Sequence, residues 1–155
     1  MRLIPIVVAA RRPLLTVLGV GMVLTAVFVA PTHAQQAPAP VTFNSGAGVW
    51  LYYVKPDKTM DFEMVMSKLK VALANSDKPD RKQQGQGWKI MKNTAEAGAS
   101  VLYIAVVEPA VKDADYNLGI ILSEGFPTEV AALLKAYGDS LAMPAVRVNM
   151  AVVAR

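Results

Sequence analysis

Hydrophobic positions recur along this chain with two different periods, and the periods mark out its elements. Gly48–Lys55 (GVWLYYVK) is rich in aromatic and β-branched residues and predicts a first strand. Pro56-Asp57-Lys58 is turn chemistry. From Thr59 the period changes. Phe62, Val65, Met66, Leu69, Ala72 and Leu73 fall on one face of a helix ending near Asn75. Thr59 is placed to cap that helix. Asp61 and Glu63 suit the positive end of its dipole.

Ser76–Gly87 (SDKPDRKQQGQG) shows no apolar period and predicts a loop with at most one helical turn. Gly87–Asn93 alternates, Trp88 and Ile90 against Lys89 and Met91, and predicts a second strand. Ser100–Glu108 (SVLYIAVVE) is a near-continuous apolar run, the mark of a central strand, and Pro109 ends it. Tyr116–Glu124 predicts a short helix interrupted by Gly119. Pro127 opens another helix, with Val130, Leu133, Leu134, Tyr137 and Leu141 as its stripe. Val146–Ala154 alternates again and predicts a last strand. If its set Val146, Val148, Met150 and Val152 faces the helices, then Arg147, Asn149, Ala151 and Val153 point the other way.

This order is β-α-β-β-α-β. Two right-handed crossovers then give an α+β, ferredoxin-like fold: a four-stranded antiparallel sheet with helices on one face. The sheet's second face would be half apolar. It would hold Arg147, Asn149, Ala151 and Val153, with Lys89, Met91 and one alternate set of Val101, Tyr103, Ala105 and Val107. Such a face packs on a partner or lines a ligand cavity, so a homodimer is expected.

Composition matters once the leader is separated. The chain has 155 residues, a net charge of +4 and 54% hydrophobic residues. Residues 1–34 carry Arg2, Arg11 and Arg12, then the apolar run Leu14–Ala30, then Pro31-Thr32-His33-Ala34. That is the layout of a signal peptide cut after Ala34, with an uncleaved membrane anchor as the competing reading. The remaining 121 residues hold 13 basic and 12 acidic side chains, a net +1. Gln35–Ser45 (QQAPAPVTFNS) is Pro-, Ala- and Gln-rich and reads as the main part of a flexible lead-in, taken as 35–47. The domain then spans 48–155. No nucleic-acid footprint remains, because Asp77 and Asp80 interleave with Lys78, Arg81 and Lys82 in what reads as a solvated loop. With the leader removed, no membrane contact is expected. The absence of cysteine and of any Asn-x-Ser/Thr site leans toward a bacterial periplasmic or secreted protein.

With no cysteine, and with His33, the one histidine, in the leader, the domain lacks the groups for Ser-His or Cys-His nucleophiles and for imidazole or thiolate metal sites. Asp113-Ala-Asp115 lacks the glycine and later glutamate of a calcium loop, so no metal and no cofactor is expected. Glu108 ends a hydrophobic strand, where desolvation could tune it for acid-base work, with Tyr103 and Tyr116 as further catalytic candidates. Trp50, Tyr52, Trp88 and Arg147 are candidates for holding a small apolar or aromatic ligand.

The element order, the aromatic first strand, Gln86-Gly87-Trp88 at the entry to strand two and the broken second helical region resemble the dimeric α/β-barrel superfamily over most of residues 48–154. The resemblance implies the same fold and a dimer. No catalytic motif of that superfamily matches, so it transfers no active site. The leading expectation is an exported protein that binds a ligand or partner as a homodimer. The alternatives are a cofactor-independent dimeric-barrel enzyme and a structural or interaction module of the cell envelope. A cavity pairing Glu108 with an aromatic wall would favour the enzyme. One without a titratable group would favour binding, and a filled interface would favour the structural module.

Overall fold

The computed structural model describes residues 39–95, 98–151 and 153. The expected leader lies outside them. The elements are β1 (Ala47–Val54), a 3-10 turn (Pro56–Lys58), α1 (Thr59–Asn75), α2 (Pro79–Gly87), β2 (Trp88–Lys92), β3 (Val101–Val107), α3 (Leu118–Gly125), α4 (Val130–Ser140) and β4 (Val146–Met150).

The strands form one sheet in the order β2-β3-β1-β4, and every neighbouring pair is antiparallel. β3 pairs along the whole of β1 apart from Ala47, with Tyr52 opposite Tyr103, which makes these two the centre of the sheet. β2 and β4 are the edges. The two β-helix-β crossovers and this strand order make the fold ferredoxin-like, with each crossover carried by two helices.

The expected stripe of α1 is its buried face. Phe62, Val65, Leu69 and Leu73 are fully enclosed, each such side chain contributing about 1.5–3 kcal/mol. The Phe62 ring meets Tyr103 at 4.7 Å and Tyr52 at 5.2 Å, so α1 seats on the two central strands. Gly125 sets how closely α3 approaches α1. A Cβ there would lie 2.5 Å from the Cβ of Ala72. Thr59 does not cap α1. It continues the 3-10 turn directly into the helix, and no side chain caps that end.

The Ser76–Gly87 loop is instead largely helical. α2 begins at Pro79, whose fixed φ suits a first helical position, and Asp80 sits in its first turn. Its inward face is Arg81, Gln84 and Gly87, all buried. A helix whose inward face is polar carries no hydrophobic period. Arg81 is thus buried, not solvated. It donates from Nε to Glu124 at 3.0 Å, from the guanidinium to Gln84 at 2.9 Å, and to the carbonyl of Asp115. Gln84 also donates to that carbonyl, at 3.1 Å. These bonds tie α2 to α3 and to the loop after β3. Arg81 holds the Glu124 carboxyl below its ordinary range.

The second helical region is broken as expected, with shifted ends. α3 starts at Leu118, and the Asn117 side chain accepts from the N–H groups of Gly119 and Ile120 as its cap. Tyr116 therefore lies outside the helix. α4 starts at Val130.

The facing of β4 is the reverse of the expectation. Residues directly opposite in an antiparallel pair share a face. Arg147 lies opposite Trp50, whereas Val146 and Val148 lie opposite Leu51 and Val49. Trp50 shares its face with Tyr52, which packs on Phe62. So Arg147 and Asn149 take the helix side, and Val146, Val148 and Met150 take the open side. In β3, too, Val101, Tyr103, Ala105 and Val107 are the buried, helix-side set. The open face is formed by Val49, Leu51, Tyr53, Leu102, Ile104, Val106, Met91, Val146, Val148 and Met150, with Lys89. Along its β4 edge Val146, Val148 and Met150 are 38–43% exposed.

Candidate functional site

Alternation along β1 and β2 places Trp50, Tyr52 and Trp88 on the helix side of the sheet. They stand under the start of α3 and the middle of α4. Together with Val41, Tyr116, Asn117, Leu118, Gly119, Leu134 and Tyr137 they line a cleft of about 420 Å³. Four of the seven candidates chosen from sequence meet here: Trp50, Tyr52, Trp88 and Tyr116. Among the described residues, none of the lining side chains carries a charge.

The rings support one another. Trp50 stacks on Tyr52 with centroids 6.2 Å apart and planes 13° apart. Tyr52 meets Tyr137 edge-on at 6.3 Å, and Trp88 meets Tyr116 at 5.8 Å. Such contacts add about 0.5–1.5 kcal/mol each beyond area burial. Both indole nitrogens, of Trp50 and Trp88, are buried and have no hydrogen-bond partner among the described residues. An unsatisfied buried donor costs about 1–3 kcal/mol.

One wall comes from the segment before β1. Val41 donates its N–H to the Asp115 carboxylate at 2.8 Å, and its carbonyl accepts from the Tyr116 N–H at 2.7 Å. Phe43 is buried against Trp50 and Tyr116, with ring centroids at 6.1 and 5.1 Å. It fits only because residue 48 is glycine, since a Cβ there would overlap the Phe43 ring. Val41–Ser45, expected within a flexible lead-in, is thus packed onto the domain.

Burial governs the tyrosines. It pushes Tyr52 well above its ordinary value, with Tyr137 adding to the rise. It takes Tyr137 to about 12 and raises Tyr116. All three stay neutral at physiological pH, and none is poised as a base. The Tyr116 hydroxyl accepts from the N–H of Val111 at 2.8 Å, which fixes its position.

The other candidates sit elsewhere. Tyr103 shares the helix side but turns toward a separate groove beside α1, where its hydroxyl donates to Glu63 at 2.5 Å. Lys92 donates to the same carboxylate at 2.9 Å. These two bonds hold Glu63 below its ordinary range, Tyr103 contributing more. Glu108 is exposed just beyond β3, at a pocket formed with Gly87, Lys89, Val106 and Pro109. It is not among the residues lining the aromatic cleft, and Tyr103 and Tyr116 are not among those lining its pocket. Arg147 is not among the residues lining the cleft, but it stands next to one of them, Trp50. Its guanidinium carbon is 6.0 Å from the Trp50 ring centroid, and it donates to the Thr42 carbonyl at 3.0 Å.

Sequence reasoning missed Val41, Leu134 and Tyr137. Leu134 and Tyr137 carried a signal, the apolar stripe of α4, but a stripe does not say which strand it will cover. Val41 carried none.

No protein-family model and no curated protein matches the chain. Among solved structures it is similar to a protein from Caulobacter crescentus named as an antibiotic biosynthesis monooxygenase. The identity is 18%, over 66% of this chain and 83% of that one, with a TM-score of 0.37. A likeness of that size says nothing about chemistry. The fold assignment rests on the strand order itself.

Proposed function

We propose that this chain is an exported binding protein that acts as a homodimer and takes a small apolar or aromatic ligand in the cleft between the sheet and α3–α4. The observation that carries the reading is the make-up of that cleft. Among the described residues it is lined by five aromatic side chains with Val41, Asn117, Leu118, Gly119 and Leu134, its one class of titratable group is tyrosine held in the neutral form, and Glu108 does not line it. Such a site can hold a ring by stacking and exclude water, but it offers no general base at neutral pH.

The open face supports the homodimer. Its ten apolar or tyrosyl positions and one lysine form a continuous patch over four strands, and a second copy would cover it by pairing like with like about a two-fold axis. The leader supports export, through its charged start, apolar run and small residues before Gln35.

The chain's two tryptophans both line the cleft, so their indole N–H signals in a nitrogen-proton correlation spectrum report on it directly. Small aromatic compounds should shift both signals, and substituting Leu134→Trp to fill the cleft should abolish the shifts. Shifts confined to other residues would overturn the reading. For the assembly, residues 35–155 should sediment as a dimer at micromolar concentration; monomer alone would remove that part.

A further inference from the structure

The cleft is neutral, but a cation stands next to its Trp50 wall. Arg147 is exposed on edge strand β4 and lies directly opposite Trp50 in the ladder, on the same face. Cross-strand neighbours of this kind stand with Cβ atoms about 4.5–5.5 Å apart. A guanidinium carries five N–H donors in a plane. Arg147 uses one on the Thr42 carbonyl. Among the described residues no carboxylate pairs with it.

The contrast with Arg81 is informative. There Nε and a terminal nitrogen grip Glu124, and two further donors reach Gln84 and Asp115. That guanidinium is spent on the fold. The Arg147 guanidinium makes one hydrogen bond among the described residues, to the Thr42 carbonyl, and lies over the ring of Trp50, a wall of the cleft. The Asp115 carboxylate, which also serves this wall, is engaged by the N–H groups of Val41 and Asn117.

We infer that the cleft selects a small planar aromatic anion, an arene carboxylate, whose ring lies against Trp50 and whose carboxylate pairs with Arg147. The inference rests on the binding reading of the cleft and adds the charge of the ligand to it. The ring of such a ligand is held by stacking, and its carboxylate lies a few ångströms from the ring, on the side where the guanidinium stands. Planar bidentate pairing with a carboxylate is what an arginine provides and a lysine does not. A neutral ring would gain the stacking alone.

The test is a matched pair, 2-naphthoate and 2-naphthamide, titrated into the full-length chain while both indole signals are followed. The naphthoate should bind about tenfold more tightly, the usual size of one charge-assisted hydrogen bond. Arg147→Met should bring the ratio of naphthoate to naphthamide affinity, both measured on the variant, to about one, and Arg147→Lys should restore part of the preference. Equal affinities in the parent protein would overturn the anion inference and leave the cleft as a ligand site. A preference that survives Arg147→Met would overturn it as well. If neither compound moves the indole signals, the binding reading falls along with it.

Discussion

The helix-covered face of the sheet presents Trp50, Tyr52, Trp88 and Tyr103; the open face presents Val49, Leu51, Ile104, Val106, Val146 and Val148, with Tyr53 as its one ring. Rings on the covered face leave a cleft, because large rigid plates meeting edge-on and stacked do not fill the corner under α3 and α4. Aliphatic chains make up most of the open face, which the Glu108 pocket meets at Lys89 and Val106. The covered face encloses a cleft, and the open face leaves Val146, Val148 and Met150 partly exposed along β4.

The comparison can be broken most severely from the covered side. Trp88→Ala should cost about 3–5 kcal/mol of stability in a denaturant melt, the usual range for a buried tryptophan. A loss under 1 kcal/mol would mean that the ring stands in a void it does not support. Next in size is Ile104→Asp on the open face. It should leave the fold intact by circular dichroism and convert a sedimenting dimer to monomer; an unchanged mass would show that this face is simply solvated.

Arg81→Met tests the polar seam beneath α2. It should cost about 1–3 kcal/mol, since Glu124 and the Asp115 carbonyl would lose a charged donor while remaining partly enclosed. The same pair gives a pH signature. Glu124 has a folded pKa below 4.5, so its contribution is complete above that value and falls away as the medium becomes more acidic. The parent protein should lose stability on acidification below about pH 4.5 more steeply than Glu124→Gln does. Equal slopes would show the pair to be silent. The smallest effect is expected from Val148→Thr, within about 0.5 kcal/mol by melting of a dilute, monomeric sample, because Val148 is 38% exposed on the free chain.

Sequence pattern carried the centre of the molecule well. β3 is an unbroken apolar run and α1 a clean stripe because both are enclosed by the rest of the fold, and enclosure is what hydrophobic periodicity records. The pattern failed where the enclosing partner is not hydrophobic or not part of this chain. α2 turns Arg81 and Gln84 inward, so its period is invisible. β4 alternates correctly, but the inference that the apolar set must face the helices assumed that the helices were its cover. They leave the β4 edge open on the Arg147 side, and the apolar set faces outward. The cleft was legible in part for the same reason. Trp50 and Tyr52 can be placed on one face by counting along β1, whereas Trp88 needs the register through β3, and bringing Tyr137 and Leu134 above them needs the packing angle of α4. Val41 needs a hydrogen-bonded strap that no local pattern announces.

That strap redefines where the cooperative unit begins. A chain shortened to start at Gly46 would keep every strand and helix, yet lose the ring that fills the hollow beside Gly48 and the acceptor for the Tyr116 N–H. The aromatic wall would then be hydrated from behind. Digestion from the amino-terminal side should accordingly stall ahead of Val41 and not at the first strand.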